Sequence, residues 1–519
     1  MMARNLLSKA SASSAGVDDW KSIDWNSVVT NVRQLQIRIA KAYREGRHGK
    51  VKALQRLLTT SYHPKLLAVR RVVQNRGSHT PGIDGVIWST HQQKMEAARS
   101  LKRRGYKTKP LKRIYIKKKD GIKSRPLSIP TMLCRAQQSL YLLALDPIAE
   151  TIADKNSYGF RPLRSTADAI EQCFNVLCRK TSAEYIMEGD IKGCFENIDK
   201  YWLCNNIPID KVMLKKWLDA GYIEDEKLYP TERGVAQGGS TSPTILVITL
   251  SGLEVAVKAA VRSKDKVNVC VYANDFIITG ATPEILEKKV KPVVISFLKE
   301  RGLTLSEEKT KITHINDGFD FLGTNIRKYN GKCIIKPAKS NVKRFLSDVR
   351  SEIKKQRAAK TEDLIYRLNQ KIRGWSNYFR HVCSKQTFNY VDSQIFQAIW
   401  RWAVRRHPNK GKRWIKARYF HQTALKGWIF SEKVTNEKGE VTWVRLAEAK
   451  KTSIKRHVKI KSKATPYDPT YHVYLGERLQ KRLRERQISI KPKWWLLWRM
   501  LLNIKDRKAG SPEGGFREA

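Results

Sequence analysis

The sequence lacks the patterns that indicate a disulfide-bonded secreted protein or a zinc protein. Its 8 cysteines are scattered along 519 residues, with no Cys-x-x-Cys pair and no histidine cluster at the spacing of a zinc site. The amino-terminal stretch is basic and serine-rich but has no apolar core like that of a secretory signal. We therefore expect buried thiols in a reducing compartment and a flexible leader over residues 1–25, with a transit peptide as the alternative.

Acidic residues are also scarce, with 48 Asp and Glu against 101 Lys and Arg, which leaves a net charge of +53. A compact chain with this charge repels itself unless a polyanion neutralises it. Nucleic acid is the leading expected partner, and an anionic membrane is the competing one. No apolar run approaches the roughly 18 residues that a spanning helix needs, and TILVITL at 244–250 has the length of a strand. We therefore expect no membrane partner.

Enough apolar material is present for real cores, since 41% of the residues are hydrophobic and 14 are tryptophans. The length predicts two to four domains. Residues 26–75 have helical periodicity, RIYIKKKDGIKSRPLSIP predicts a hairpin around Asp120 and Gly121, and TMLCRAQQSLYLLALDPIAETI predicts a buried helix. EYIMEGDIKGCFENI predicts a strand that enters a loop at Asp190 and a short helix after it. From about residue 336 the pattern is helical and basic.

Three basic runs with interleaved aromatic residues lie in the tail, at 401–420, 451–463 and 491–502. A solvated charged face is the alternative for any one of them. Three such runs favour neutralisation of phosphates combined with stacking on bases, which is how RNA is held. The candidate RNA- or DNA-binding residues are Arg405, Arg406, Lys410, Lys412, Arg413, Lys416, Arg456, Lys459 and Lys461.

Two aspartates are candidates for a magnesium site. Asp190 follows an apolar strand, and Asp275 lies in CVYANDFIITG, which predicts two strands joined by a tight turn. Joining nucleotides in line needs two divalent ions about 3.5 to 4 Å apart, held by carboxylates. Each aspartate alone is more often an ordinary turn residue. Asn274 stands where an adjacent acid would be expected.

Eight segments in a fixed order carry a resemblance to a known family. They are TPGIDG (80–85), GIKSRPLSIPT (121–131), NSYGFRP (156–162), DIKGCFENI (190–198), GVAQGGSTSP (234–243), VYANDF (271–276), GLTLSEEKTKI (302–312) and FDFLGTNIRKYNGK (319–332). In this order the chain resembles the group II intron-encoded reverse transcriptases, also called intron maturases, from about residue 25 nearly to its end. It looks like a bacterial-type member, and no endonuclease domain is expected.

The resemblance implies catalytic roles for Asp190, Asp275 and Asn274. Asp190 and Asp275 would bind Mg²⁺ and lie on adjacent strands of a palm sheet, and Tyr272 would pack beneath the primer end. An amide offers one neutral oxygen, and its NH₂ group is repelled by a cation. The loss of one charge predicts weak or absent polymerisation, whether Asn274 is a natural change or an engineered one.

The resemblance also implies a set of substrate-binding residues. Phe195 would be the steric gate against a ribose 2′-hydroxyl. Arg125, with Lys119, would grip the incoming triphosphate. Gln237 would line the nucleotide pocket, and Lys309 would lie near the phosphates, with an ordinary surface lysine as its alternative. Ala236, where the family usually has proline, is a departure that affects shape more than charge.

The expected fold is α+β, a right-hand polymerase with a helical thumb and a small basic DNA-binding region. The expected segments are a leader over 1–25, fingers and palm over 26–335, thumb or X domain over 336–425 and the basic region over 426–519. The expected function is binding of intron RNA to promote splicing and reverse splicing in the bacterial cytoplasm. Target DNA and deoxynucleoside triphosphates are the other expected partners.

Two alternatives to this function stay open. One is a fully active reverse transcriptase for intron retrohoming or another retroelement. The other is a basic RNA-binding structural protein with no link to an intron, which leaves the eight ordered segments unexplained. Metal-dependent synthesis of DNA is the property that separates the first alternative from a maturase with an impaired polymerase.

Overall fold

The computed structural model of the chain describes residues 19–117, 124–423, 426–435 and 439–485. Helices and strands are mixed, and the chain folds into two compact units. The first unit contains the described residues as far as Ser165, then Met187–Ile312, then those from Ile460 onward. The second contains Thr166–Ile186 and Thr313–Lys459. Each unit is therefore built from separate stretches of the chain.

Helices dominate the amino-terminal end of the described chain, and the helical periodicity predicted over 26–75 is confirmed. The first helix begins after Asp24, whose side chain accepts a hydrogen bond from the backbone N–H of Asn26. The helices are α1 Trp25–Arg44, α2 His48–Thr60, α3 Tyr62–Gln74, α4 His91–Ser100, α5 Met132–Ile152, α6 Thr166–Leu177, α7 Lys200–Asn206, α8 Lys211–Leu218, α9 Ser242–Leu250, α10 Leu253–Ala259, α11 Lys291–Glu300, α12 Lys339–Lys355, α13 Thr361–Phe379, α14 Lys385–Arg406, α15 Lys412–Tyr419 and α16 His472–Glu485.

The strands form four sheets within the described residues. They are β1 Leu111–Lys117, β2 Ser124–Ile129, β3 Tyr185–Lys192, β4 Tyr222–Glu224, β5 Lys227–Tyr229, β6 Val269–Tyr272, β7 Asp275–Gly280, β8 Thr304–Leu305, β9 Lys311–His314, β10 Phe319–Phe321, β11 Thr324–Tyr329, β12 Lys332–Pro337, β13 Phe420–Thr423, β14 Lys426–Thr435 and β15 Val441–Arg445. The sheet orders are β2-β1-β4-β5, β6-β7-β3-β8 with β9 also on β3, β10-β11-β12 and β13-β14-β15.

Two predicted elements are confirmed around the first sheet. Strands β1 and β2 are antiparallel, with Lys117 opposite Ser124, as the hairpin prediction requires. The tip of this hairpin, with Asp120 and Gly121, lies outside the described residues. Helix α5 is buried along almost its whole length, as its apolar sequence predicts.

Two local predictions are wrong. Asp190 does not lie in a loop, because β3 continues to Lys192; Ile191 pairs with Leu305 of β8, and turns rather than a helix follow β3 as far as α7. TILVITL, for which no strand or helix was predicted, lies in helix α9.

The stretch Ser242–Ala259 also differs from expectation, since it is apolar enough to cross a membrane by length and composition, with a mean hydropathy of 1.3 over 18 residues. It consists of α9 and α10, which are separated at Gly252, where φ is 93°. Of this stretch, 61% is buried inside the protein.

The expectation of buried thiols holds in part. Of the eight cysteines, four are buried and Cys383 is exposed.

The second unit contains the helical region predicted from residue 336. Leu364 and Leu368 of α13 have no exposed surface, and Ile372 is 1% exposed, so this face of the helix packs inward. Strands β13, β14 and β15, which follow α15, were not predicted. Of the described residues in the stretch predicted as one basic region, 426–519, those up to Lys459 lie in the second unit and those from Ile460 to Glu485 lie in the first.

A buried ion triad lies at the centre of the first unit. The Glu150 carboxylate accepts hydrogen bonds from Arg161 (Nε–Oε1 2.7 Å) and Arg164 (Nη1–Oε2 3.0 Å), and all three side chains are at most 3% exposed. Arg164 also donates to the backbone oxygens of Ser462 and Ala464, each at 3.1 Å. The triad therefore fastens the carboxyl-terminal stretch of the described chain to the amino-terminal half of the unit.

The same stretch has its own apolar contacts. Ile460, Ala464, Leu475, Leu479 and Leu483 form one buried cluster. Leu163, Tyr471 and Tyr474 pack against this cluster. The stretch from Ile460 to Leu483 thus contributes five buried side chains to the first unit.

Candidate active site

The candidate site is built on the hairpin of β6 and β7 and on its neighbour β3. Tyr272 and Asp275 are paired across the hairpin, and Ala273 and Asn274 form the turn between them. Ala273 has φ 57°, a left-handed conformation that tight hairpin turns require. Because β7 lies beside β3 in the sheet, the carboxylates of Asp275 and Asp190 are brought to the same place.

The segment NSYGF, residues 156–160, supports this turn from the edge of β6. Tyr158 N–H donates to Val271 O (2.9 Å), and Val271 N–H donates to Asn156 O (3.0 Å). A Cβ on Gly159 would lie 2.2 Å from the backbone nitrogen of Ala273. Glycine is therefore required at this point for the segment to approach the turn.

Asp190 is held by two donors from different elements. The Asn274 amide Nδ2 donates to Asp190 Oδ1 at 2.8 Å, and Lys309 Nζ donates to Asp190 Oδ2 at 2.6 Å. Asn274 Nδ2 is also 3.4 Å from Asp275 Oδ1. The amide thus acts as a hydrogen-bond donor between the two carboxylates. An aspartate at position 274 could not make either bond as a carboxylate, because it has no N–H group.

The neighbouring Asp190 affects the protonation of Asp275. Asp275 is exposed at the mouth of the site, yet desolvation by the surrounding protein and the adjacent Asp190 raise its pKa to about 6, against an opposing effect of Lys309. The hydrogen bond to Asp190 raises the pKa of Lys309. Burial, with smaller effects from Asp190 and Asp275, raises the pKa of the Cys194 thiol to about 12.

These residues fit a magnesium ion only in part. Carboxylate oxygens are ligands that Mg²⁺ prefers, and Asp190 and Asp275 supply them. Asn274 would present its oxygen only if its amide turned over, which would break the bond to Asp190. Among the described residues, no group of three or more His, Cys, Asp and Glu side chains is placed to hold a metal ion. A metal ion at Asp190 would also compete with the ammonium group of Lys309.

The predicted substrate-binding residues that the structure describes lie on several elements of the first unit. The ring of Phe195 meets that of Phe160 edge to face, with 6.1 Å between centroids. Gln237 donates through Nε2 to Glu196 Oε1 (3.1 Å). Arg125 is exposed on β2, and Tyr272 is half-buried, while Lys119 lies outside the described residues.

The backbone beside Gln237 is held against β2. Ser128 N–H donates to Gln237 O at 2.7 Å. Gly238 has φ 115°, and a Cβ there would lie 2.5 Å from Ser128 O. The glycine therefore allows the loop that carries Gln237 to approach the strand that carries Arg125.

The predicted nucleic-acid contacts differ in exposure and in the protein groups that they touch. Arg405, Lys412 and Arg413 are exposed, as are Lys410, Arg456 and Lys461. Several of the nine contact protein groups: Arg406 donates to Ala359 O (2.6 Å), Lys410 lies over Trp414, Lys416 lies over Trp428, Arg456 pairs with Glu171 (3.3 Å), Lys459 donates to Gln172 (2.5 Å) and Lys461 lies over Tyr474. The run at 491–502 lies outside the described residues.

Sequence reasoning missed several residues that shape the site. Phe160 and Gly159 lie in the motif NSYGFRP, which was singled out as a segment without an assigned residue. Glu196, which holds Gln237, lies in FENI and could have been found from its place beside Phe195. No sequence pattern indicated Gly189, although the ring of Phe276 occupies the space that a side chain at this position would need.

Gly189 offers a test of how closely β3 and β7 must pack. A Cβ there would lie 2.2 Å from Cζ of Phe276, and overpacking a core costs about 1–3 kcal/mol. We expect Gly189→Ala to destabilise the first unit by about this amount, measured as a lower midpoint of urea unfolding. Phe276→Leu in the same chain should recover part of the loss, because the two sites share one contact.

Gly374 in α13 is the matched control. An added Cβ there meets nothing within 4 Å, and Ala is favoured over Gly in a helix interior by about 0.8–1 kcal/mol. Gly374→Ala should therefore leave the midpoint unchanged or raise it. Equal losses at both glycines would contradict the close packing of β3 on β7.

Three family models match the chain. "Reverse transcriptase (RNA-dependent DNA polymerase)" matches residues 116–326, "N-terminal domain of reverse transcriptase" matches 20–101, and "Group II intron, maturase-specific domain" matches 342–420. The matches follow the order of the segments that carried the resemblance. The whole candidate site lies within the first of them.

Curated proteins give the same result. Protein YkfC of Escherichia coli is 32% identical over 317 residues, 52% of this chain and 82% of that protein. Group II intron-encoded protein LtrA of Lactococcus lactis is 26% identical over 423 residues, 62% of this chain and 70% of that one. Maturase-like protein 1 of Euglena longa is 22% identical over 341 residues, 63% and 71%. The chain belongs to the family of group II intron-encoded reverse transcriptases and maturases.

Proposed function

We propose that this protein works chiefly as a maturase, with a polymerase site that Asn274 impairs. The observation that carries the proposal is the bond from Asn274 Nδ2 to Asp190 Oδ1 at 2.8 Å. It supports the view that an N–H donor occupies the place of a third carboxylate. Splicing chemistry belongs to the folded intron RNA and needs no carboxylate from the protein.

The polymerase roles are proposed as follows. Asp190 and Asp275 would hold Mg²⁺, which when bound supplies positive charge that stabilises an in-line phosphoryl transfer. Arg125, with Lys119, would bind the triphosphate of a deoxynucleotide. Phe195 would exclude a 2′-hydroxyl group, and its edge-to-face contact with Phe160 supports a fixed orientation for that ring.

Gln237, Tyr272 and Lys309 complete the proposed substrate site. Gln237 would line the nucleotide pocket, held there by Glu196. Tyr272, half-buried next to the turn, would pack beneath the primer end. Lys309 would neutralise phosphate charge once Asp190 is occupied, which is consistent with its 66% exposed side chain.

The proposed architecture is a right hand, with fingers and palm over 26–335, a thumb over 336–425 and a basic DNA-binding region over 426–519. Intron RNA would bind along the basic surface, and target DNA would be a second partner in the bacterial cytoplasm. The net charge of +53 and the exposed cations near α15 support binding that depends steeply on salt.

Splicing assays with two kinds of variant test the maturase proposal. We expect Lys412→Gln with Arg413→Gln to weaken intron RNA binding and to reduce the slope of log K against log salt by about 2, since each lost phosphate contact removes about 1. Protein-dependent splicing should fall with affinity. Asp190→Asn should leave both unchanged.

Lys288→Gln serves as the matched control, because Lys288 is exposed in the first unit outside the proposed RNA surface. Lys288 makes no contact with RNA in this proposal. Its replacement should therefore change the slope of log K against log salt only through the long-range field of one charge. Loss of splicing in Asp190→Asn with RNA binding intact would overturn the separation of splicing from the polymerase site.

A second candidate function is a working reverse transcriptase. It is favoured by the presence of both Asp190 and Asp275 at neighbouring strands of one sheet. Metal-dependent extension of a primer distinguishes it from the first candidate.

A further inference from the structure

Four aromatic rings meet on the surface of the second unit. Phe396 and Trp400 come from α14, Phe420 from β13 and Trp428 from β14. The centroid of the Trp428 ring lies 6.0 Å from that of Phe396, 5.5 Å from that of Trp400 and 5.6 Å from that of Phe420. We call these four residues the aromatic platform.

The platform is not a closed core. Trp428 is 41% exposed and Phe396 is 39% exposed, whereas Phe420 beneath them is 4% exposed. Single exposed aromatic residues are common on protein surfaces. Here the exposed rings are contiguous and are supported by a buried ring, which gives a rigid apolar surface with a fixed orientation.

The charges around the platform are positive. Lys416 Nζ lies 4.6 Å from the centroid of the Trp428 ring, and it comes from α15, which also carries the exposed Lys412 and Arg413. Glu432 on the same strand as Trp428 is paired with Arg418 at 2.9 Å. The nearby acid is therefore neutralised, and the surface is suited to a polyanion.

We propose that the aromatic platform stacks an unpaired base of single-stranded RNA on Trp428, while Lys416 binds a phosphate next to that base. Stacking on an aromatic side chain combined with a cation for the backbone is how proteins hold unpaired nucleotides. This inference rests on the proposed RNA-binding function and specifies one of its contacts. Trp428 lies beyond the residues matched by the maturase-specific model, 342–420.

Binding of a short unstructured RNA tests the proposal in the full-length protein. We expect Trp428→Ala to weaken binding of a single-stranded oligouridine or oligoadenine RNA about tenfold, since stacking is worth about 1–3 kcal/mol per base. Trp428→Phe keeps an aromatic ring, so its affinity for the same RNA should fall about threefold or less. Lys416→Gln should weaken binding and reduce the salt slope by about 1, whereas Trp428→Ala should leave that slope unchanged.

Two controls make the result specific. Double-stranded RNA offers no unpaired base, so its affinity should not change in Trp428→Ala. Tyr201→Ala removes a 79% exposed ring in the first unit and should leave oligonucleotide binding unchanged. A circular dichroism melt of Trp428→Phe and Trp428→Ala verifies that both fold.

Other outcomes would overturn the proposal. The proposal is wrong if Trp428→Ala binds the single-stranded oligonucleotide as tightly as the parent chain. It is also wrong if Trp428→Ala loses as much affinity for double-stranded RNA as for single-stranded RNA. A loss confined to single-stranded DNA would assign the platform to the DNA partner. A change in oligomeric state with RNA binding intact would make this surface a protein interface. If the stacking contact fails these tests while intron splicing is unaffected, only the stacking proposal is wrong and the proposed maturase function is retained.

Discussion

Replacing Asn274 by aspartate is expected to raise magnesium-dependent primer extension on an RNA template by at least about a hundredfold. The change removes the N–H donor that bonds to Asp190 Oδ1 at 2.8 Å and adds a full negative charge beside Asp190 and Asp275. Charge placed to stabilise a transition state in a partly dry cleft is worth about 2.7–4 kcal/mol. Each 1.36 kcal/mol corresponds to a tenfold change in rate.

Two further variants separate charge from hydrogen bonding. Asn274→Ala removes the bond to Asp190 without adding charge, so it should give little gain over the chain as given. Asp275→Asn combined with Asn274→Asp should abolish the gain, because it again leaves two carboxylates. The impairment hypothesis would be wrong if the chain with Asn274 extended primers as fast as the aspartate variant.

Calorimetry of magnesium binding gives a readout that does not depend on turnover. Affinity should rise in Asn274→Asp, because the metal then competes only with Lys309 for Asp190. If affinity rises and extension does not, the loss lies beyond the turn, at the residues proposed for the nucleotide. Splicing then becomes the direct test of what the protein does.

Replacing Glu150 by glutamine is expected to destabilise the first unit by about 3–5 kcal/mol. Removing one member of a buried ion pair leaves an uncompensated buried charge, and here both Arg161 and Arg164 would remain, at 3% and 1% exposure. The amide of glutamine keeps the volume, so the effect is electrostatic. Hydrogen exchange in peptides from Met132–Ile152 measures it without requiring the two units to unfold together.

The effect should depend on pH. Burial acts to raise the pKa of Glu150, but Arg161 and Arg164 more than offset this, and the pKa is lowered overall. A carboxyl with a lowered pKa in the folded state stabilises it above the unfolded pKa of about 4.3. That contribution is lost as the pH falls through the folded pKa. The difference in the free energy of unfolding between the parent chain and Glu150→Gln should therefore be largest at pH 7 and decrease in acid.

Glu287→Gln is the matched control. Glu287 pairs with Lys291 on the surface and is 52% exposed, and such pairs contribute about 0–1 kcal/mol. Its exchange rates should match those of the parent chain. A loss below about 1 kcal/mol in Glu150→Gln would show that the triad is not a necessary part of the core.

The site could be located from the sequence because its residues lie in short ordered segments. Asp190 and Asp275 were expected on adjacent strands, and they are. The direction of the Asn274 hydrogen bond could not be predicted, since it depends on a side-chain torsion and on a strand 84 residues away. The helix that contains TILVITL could not be predicted, because length and apolarity alone do not separate a strand from a buried helix.

Contacts between residues far apart in the chain were the features that the sequence predicted least. Nothing in the sequence around Arg164 indicates that it donates to Ser462 and Ala464. The basic run at 451–463 looked like a continuous binding surface, yet Arg456 and Lys459 contact Glu171 and Gln172. Charge pattern predicts the sign of a surface, but it does not predict which cations are already paired within the protein.

The contact between Arg164 and Ala464 also affects how the protein is made. These residues are 300 positions apart, so at a synthesis rate of about 5–20 residues per second a ribosome needs about 15–60 s to go from one to the other. During that time Arg164 has no access to its two backbone acceptors. The described part of the second unit ends at Lys459, so it can fold on the nascent chain before the contacts of Arg164 form in the first unit.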